Sequence, residues 1–187
     1  DVEILGVPGA QADIEVIALA AHILDDLGVA KDVRLELNTL GDPESRQAYR
    51  GVLLDYLAKY RNDLSEDSRT RMDKNPLRIF DSKDKGDQDI MSSAPLLQDH
   101  LNDTSRVFFD EVLAGLDALG IAYEVQPRLV RGLDYYSHTA FEFVTGTLGA
   151  QGTVLAGGRY DGLMEQMGGR ATPGIGWAAG VERLSMM

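Results

Sequence analysis

Three short runs of strict alternation between polar and apolar residues constrain this chain more than any other feature. Val2 and Ile4 enclose Glu3; Val33, Leu35 and Leu37 alternate with Arg34 and Glu36; Phe141 and Phe143 enclose Glu142. A period of two sends successive side chains to opposite faces, so each run is predicted to be a strand with one buried face. Helical stripes separate them. Ile14, Ile17, Ala21, Leu24 and Leu27 recur at helical spacing after the first run, and Gly28 stands at the C′ position that favours positive φ. A second stripe, from about Thr104 to Leu119, turns Phe108, Val112, Leu116 and Leu119 inward and stops at Gly120, before a strand over Ile121 to Val125. Shorter strands follow at Val154 and from Gly174 to Trp177, with a final helix from about Ala178. Short half-buried strands parted by long helical excursions or glycine-rich turns predict an α+β fold, an antiparallel sheet flanked by helices.

The stretch from 42 to 105 departs from that pattern. Asp42-Pro43 is an N-cap with proline at the first helical position, followed by a stripe of Tyr49, Val52, Leu53, Tyr56, Leu57 and Tyr60. Ser65 caps a second helix that Asn75-Pro76 ends, and a polar loop from Asp81 to Asp87 leads into short turns. The stretch reads as an inserted helical subdomain, with residues 1–41 and 106–187 forming the core around it. Its 13 acidic and ten basic residues suit a solvated surface or a face turned to RNA, and the residues alone leave both open.

Composition narrows the function. With no cysteine there is neither a disulfide framework nor a thiolate metal site. No apolar run reaches the roughly 18 residues of a membrane helix, so no membrane role is expected and a cytoplasmic location fits. The net charge of −12 disfavours non-specific nucleic-acid binding, but residues 131–187 hold four arginines against five acids and are nearly neutral. The first residue is Asp, not Met, which suggests a piece of a longer protein.

The chemistry concentrates in that neutral part. Arg131, Asp134, Tyr135 and Tyr136 put a fixed cation, an anion and two aromatic walls with hydroxyl tips beside the third strand, the outline of a small-molecule pocket. Alone, the paired tyrosines could equally be packing and Arg131 could pair with Asp134. Of the 20 glycines, 11 lie between Gly146 and Gly180, where backbone must turn or approach a ligand closely. His22, His100 and His138 share no metal-ligand spacing, so no metal site is expected, and no G-x-S-x-G elbow supports a serine nucleophile.

The runs LVRGLDYY at 129–136, AGGRYDGL at 156–163 and ATPGIGWAAGVERL at 171–184 resemble, in that order, the two histidine-specific motifs and the class II motif 3 of histidyl-tRNA synthetases. The opening residues, Asp1 to Gly6, resemble the strand that closes motif 2 in the same family. The resemblance implies a bacterial-type, class II synthetase-like catalytic domain that joins histidine to ATP, with Mg²⁺ accompanying the nucleotide, and passes the histidyl group to tRNA(His). It further implies that Arg131 meets both the histidine carboxylate and the α-phosphate as the catalytic cation. Glu3, Tyr135, Tyr136 and Tyr160 would complete the histidine site, with Tyr136 nearest the ring; Asp161 beside them could equally be a turn cap. Arg183, Gly176 and Gly180 would bind ATP. A homodimer and an insertion leaning on the acceptor stem are also implied. Motif 1, the motif 2 arginine and the anticodon-binding domain are not in these 187 residues, so the isolated piece is expected to be inactive or nearly so. The alternative is a synthetase-like regulatory subunit of ATP phosphoribosyltransferase that senses histidine without activating it; the complete GVERL run and the long insertion favour the enzyme.

Overall fold

The computed structural model describes residues 1–130, 135–149 and 152–187. Six strands form one sheet in the order β1-β6-β5-β4-β2-β3. They are β1 (Val2–Leu5), β2 (Val33–Thr39), β3 (Glu124–Val125), β4 (Ser137–Thr145), β5 (Thr153–Arg159) and β6 (Gly174–Ala179). Four of the five pairings are antiparallel, as the alternation predicts. The exception is the edge pair β2–β3, which is parallel, because the long connection through α5 (Asp103–Ala118) returns the chain in the direction of β2. The strand expected over 121–125 shrinks to the two residues of β3. At the other end β6 extends through Ala178, and after the single turn of α6 (Leu163–Gln166), which precedes β6, the final helix, α7 (Val181–Ser185), starts later than predicted.

One sheet face is covered by α1 (Ala10–Asp26) and α5, which also pack on each other. Gly115 makes that approach close: a Cβ there would sit 2.2 Å from Ile14 Cδ1. Phe141, Phe143, Leu155, Ile175 and Trp177 point from the sheet into a core closed by Val16, Ile17, Leu24, Phe109, Val112 and Leu116. Burying side chains of this size contributes about 1.5–3 kcal/mol each. Phe109, not Phe108, is the core residue, and Leu27 and Leu119, each 57% exposed, lie outside the core.

Between β2 and α5 the chain makes α2 (Pro43–Ala58), α3 (Glu66–Lys74), α4 (Lys85–Ser92) and two 3-10 turns. Asp42 accepts from Ser45 N at 2.7 Å as the N-cap of α2, and Ser65 Oγ caps α3 by accepting from Ser68 N at 3.1 Å. A separate hydrophobic cluster is built from Tyr49, Leu53, Leu57, Leu64, Met72, Ile79, Met91, Ala94, Leu97 and Leu101. Beneath it lies one buried anion: Asp87 accepts from Ser65 N and from the hydroxyls of Ser65, Ser68 and Ser82 at 2.6–2.9 Å. Burial pushes the Asp87 carboxyl up, but these donors outweigh it and hold the pKa at about 2.

Candidate functional site

Strand register decides what the uncovered sheet face presents. Gly158 of β5 stands opposite Gly176 of β6, which stands opposite Glu3 of β1; one step along, Glu142 of β4 stands opposite Ala156, and Ala156 opposite Ala178. Residues two apart share a face, so Ala156, Gly158, Gly176 and Ala178 make a floor with almost no side-chain relief. Among the described residues, larger groups rise at its ends.

At one end a cavity of about 570 Å³ is lined by Glu3, Tyr135, Tyr136, Tyr160, Gly176 and Met164, among others. The three tyrosine rings form a cluster, with centroids 4.7 Å apart for Tyr135 and Tyr136 and 6.1 and 6.5 Å from these to Tyr160. The Tyr160 hydroxyl donates to Glu3 Oε2. Burial first, and then the Glu3 hydrogen bond and charge, raise the Tyr160 pKa, which keeps the phenol protonated and a donor. The glycines make room for these groups: a Cβ on Gly176 would lie 1.8 Å from Glu3 Oε2, one on Gly158 2.8 Å from the Tyr136 ring, and one on Gly174 2.3 Å from the Tyr160 ring. An acid beside phenols in a half-apolar cleft suits a cationic amine carried on a flat ring.

A second hollow, of about 310 Å³, holds Glu142, Thr153, Ala156, Ala178, Gly180 and Arg183. It shares Ala156 and Ala178 with the tyrosine cavity, so the two adjoin along the floor. Arg183 donates to the Thr153 carbonyl, and Thr153 Oγ1 donates to Glu142 Oε2 at 2.8 Å.

The turn carrying Tyr160 is fixed from beneath by a buried ion pair. Arg159 and Asp13 are both 0% exposed. Arg159 Nε reaches the Asp13 carboxylate at 3.0 and 3.2 Å, Nη1 donates to Val7 O (3.1 Å) and Asp161 Oδ1 (2.9 Å), and Nη2 donates to Gly9 O (3.1 Å) and Asp13. All five guanidinium protons therefore have acceptors. Asp161 Oδ1 also accepts from Gly174 N at 3.2 Å, which locks the Tyr160 turn to the start of β6. Burial pushes the Asp13 carboxyl up, against the opposing hydrogen bonds and charge of Arg159.

The sequence profile of the family described as Histidyl-tRNA synthetase matches residues 2–184. The chain belongs to the histidyl-tRNA synthetase family. It is 62% identical over 186 residues to a histidine–tRNA ligase of Rhodospirillum rubrum, covering 100% of this chain and 45% of that protein. The apo histidyl-tRNA synthetase of Staphylococcus aureus superposes with a TM-score of 0.79 at 35% identity, covering 98% of this chain and 45% of that one. A Bacillus halodurans protein described as an ATP phosphoribosyltransferase regulatory subunit/histidyl-tRNA synthetase shares the fold, with a TM-score of 0.54 at 18% identity. The chain thus spans about 45% of the length of the curated relative it matches.

In this synthetase-family chain the structure brings Glu3, Tyr135, Tyr136 and Tyr160 into one cavity. It sets Gly176 beneath Glu3 in that same cavity, apart from Arg183, while Gly180 stays with Arg183. Arg131 and Asp134 lie outside the described residues. The segment leading to them is tied to β2: Asn38 Nδ2 donates to Leu129 O at 2.8 Å and Gln126 N to Leu37 O at 2.8 Å. Asp161 is a network anchor for Arg159 and Gly174. His138, which the sequence reading gave no role, turns its ring onto Phe108 of α5 at 4.5 Å, on the helix-covered side. Sequence reasoning missed the Asp13–Arg159 pair and the place of Glu142. The Glu142 signal was present, since period two puts it on the face opposite Phe141 and Phe143; nothing local links Asp13 to a residue 146 positions away. Among the described residues no helix is long and apolar enough to cross a membrane, and no group of three or more His, Asp or Glu could hold a metal ion.

Proposed function

We propose that this chain supplies the histidine site and part of the nucleotide platform of a histidine–tRNA ligase. The observation that carries the reading is the Glu3–Tyr160 pair standing on the Gly158–Gly176 floor inside a wall of tyrosines, in a chain of this family. Glu3 takes the α-ammonium group of histidine, and the tyrosines hold the imidazole flat and hydrogen-bonded. ATP lies along the Ala156–Ala178 floor towards Arg183, with Mg²⁺ on its phosphates. A histidine carboxylate oxygen attacks the α-phosphorus, the bond to the β-phosphate bridging oxygen breaks, and pyrophosphate leaves with histidyl-adenylate formed. A ribose hydroxyl at the tRNA(His) 3′ end then attacks the activated carbonyl and AMP departs. Two anions meet in the first step, so positioning and fixed positive charge dominate the barrier; Arg131 is the proposed cation. Residues 42–105 form the inserted unit beside the acceptor stem, within a cytoplasmic homodimer. The isolated 187 residues are proposed to be inactive or nearly so.

Calorimetric titration of histidine and of ATP, with histidine-dependent ATP–pyrophosphate exchange on the intact protein that carries this chain, tests the reading. Binding of both ligands and exchange that Arg131→Ala and Glu3→Gln abolish are expected. Histidine binding without ATP binding or exchange would favour a histidine sensor instead.

A further inference from the structure

The 42–105 unit is joined to the tyrosine cavity by more than chain connectivity. Arg46, one turn into α2, donates from Nη1 to the main-chain carbonyl of Tyr136 at 2.7 Å, across 90 positions of sequence. The base of that helix is held firmly. Its cap Asp42 accepts from Asn102 Nδ2 at 2.8 Å, and Ser45 Oγ lies 3.2 Å from Ser105 Oγ at the start of α5. Leu77 and Phe80 of the same unit pack with Leu40, Val130, Ala140 and Tyr136 in a small apolar cluster. On its other side Tyr136 lies over Gly158, where a Cβ would come within 2.8 Å of the ring. The adjoining peptides are pinned too: His138, at φ +45°, donates from its N–H to Gly41 O at 2.9 Å and accepts from Leu40 N at 2.6 Å, in a break of the β4–β5 register. Tyr136 therefore sits between the sheet floor and the inserted unit, its peptide held by a charge-assisted bond from that unit.

We propose that Arg46 is a positioning residue for the amino-acid pocket, fixing the Tyr136 peptide so that histidine affinity depends on how the 42–105 unit is seated. The proposal rests on the histidine-site reading. Because binding linkage is reciprocal, a ligand that reseats the unit changes histidine affinity by the factor by which histidine changes that ligand's own affinity.

The test uses the intact protein that carries this chain, with Arg46→Ala, Arg46→Lys and Arg50→Ala. Arg50 is the control: it lies one turn further along α2 and donates at 3.4 Å to the Asp73 carbonyl, within the unit. Arg46→Ala is expected to weaken histidine binding about tenfold, the loss of a hydrogen bond to a charged donor, and to raise the histidine KM in exchange while ATP affinity stays within about twofold. Lysine can donate to the same carbonyl without the fork, so Arg46→Lys is expected to recover all but about threefold of the loss. Arg50→Ala is expected to match the unaltered protein. Should Arg46→Ala melt more than about 5 °C lower, Arg46→Lys decides: a loss of about threefold in histidine affinity alone, with Arg50→Ala unchanged, sustains the proposal, and no loss in Arg46→Lys or an equal loss in both variants overturns it. Unchanged histidine affinity in Arg46→Ala, equal losses for histidine and ATP, or the same loss in Arg50→Ala would each overturn the proposal. If the unaltered protein binds no histidine at all, the histidine-site reading itself fails and the proposal falls with it.

Discussion

Arg159→Met removes a cation that is 0% exposed and leaves four acceptor groups facing its vacated guanidinium: the Asp13 carboxylate, Asp161 Oδ1, Val7 O and Gly9 O. Removing one partner of a buried ion pair costs about 3–5 kcal/mol, because the other charge stays desolvated. Against a total stability on the order of 5–15 kcal/mol, that is a large fraction. The double variant Asp13→Leu/Arg159→Met removes both charges and keeps the volume roughly filled. It still strands the two carbonyls, worth about 1–3 kcal/mol each where water cannot reach them. The cycle therefore predicts a double variant no less stable than Arg159→Met alone, with a coupling of several kcal/mol between the two sites. Urea unfolding followed by Trp177 emission reports this directly, since the indole is buried and its Nε1 donates to Val16 O at 2.9 Å in α1, next to Asp13.

The pH dependence gives an independent check. Without the guanidinium to oppose burial, the folded-state pKa of Asp13 rises further above its unfolded value of about 3.9. A carboxyl with a raised folded pKa binds more protons folded than unfolded, so stability is retained below the unfolded value and falls as pH rises through the folded one. Arg159→Met should therefore lose less stability at pH 4–5 than at pH 7 when each is compared with the unaltered chain. A loss under about 1 kcal/mol at pH 7, or additive single effects, would refute the view that this pair holds the Tyr160 turn.

Three further outcomes follow from the same geometry. Tyr160→Phe removes the donor to Glu3 and should weaken histidine binding about 10- to 100-fold, the range for a hydrogen bond to a charged group, with ATP affinity little changed in titration calorimetry. Gly176→Ala would bring a methyl within 1.8 Å of Glu3 Oε2 and 2.5 Å of Val2 O; because the second is backbone, β1 must shift, and a stability loss of about 1–3 kcal/mol with at least tenfold weaker histidine binding is expected. Asp87→Asn should destabilise the 42–105 unit by about 2 kcal/mol, seen as earlier amide exchange in α3 and α4. The sign for Asp87 is opposite to that for Asp13. Its folded pKa of about 2 lies below the unfolded value of about 3.9, so its contribution is intact above pH 4 and lost between pH 4 and pH 2.

What could be read from the sequence was whatever is local. Alternation located β1, β2 and β4, and the caps Asp42 and Ser65 stand where their side chains announced them. Helical faces were less certain at their ends. Leu27 and Leu119 continue the apolar stripe in register, yet both lie at the C-terminal limits of their helices, past the edge of the core, and are 57% exposed. Two adjacent phenylalanines leave the helical phase ambiguous by one position. The structure gives Phe109 to the core and uses Phe108 as a plate between the His138 ring and the Arg159 guanidinium, which lies 5.2 Å from its centroid. Asp13, buried in the otherwise apolar stripe of α1, carries no local signal of its role, because its partner Arg159 is fixed by tertiary packing.

The glycine excess near the C-terminus looks different once register is known. Periodicity shows that Ala156 and Gly158 share a face, and likewise Gly176 and Ala178, but only the β5–β6 pairing stacks them into a continuous floor with Glu3 at one end and Glu142 at the other. A helix-covered face needs bulk, and Phe141, Leu155, Ile175 and Trp177 supply it from the same strands. The opposite face, proposed above to take the ligand, carries glycine and alanine instead. The alternation that defines these strands therefore also divides their two duties, and changes on the small-residue face are expected to act on binding first, while changes on the opposite face act on stability first.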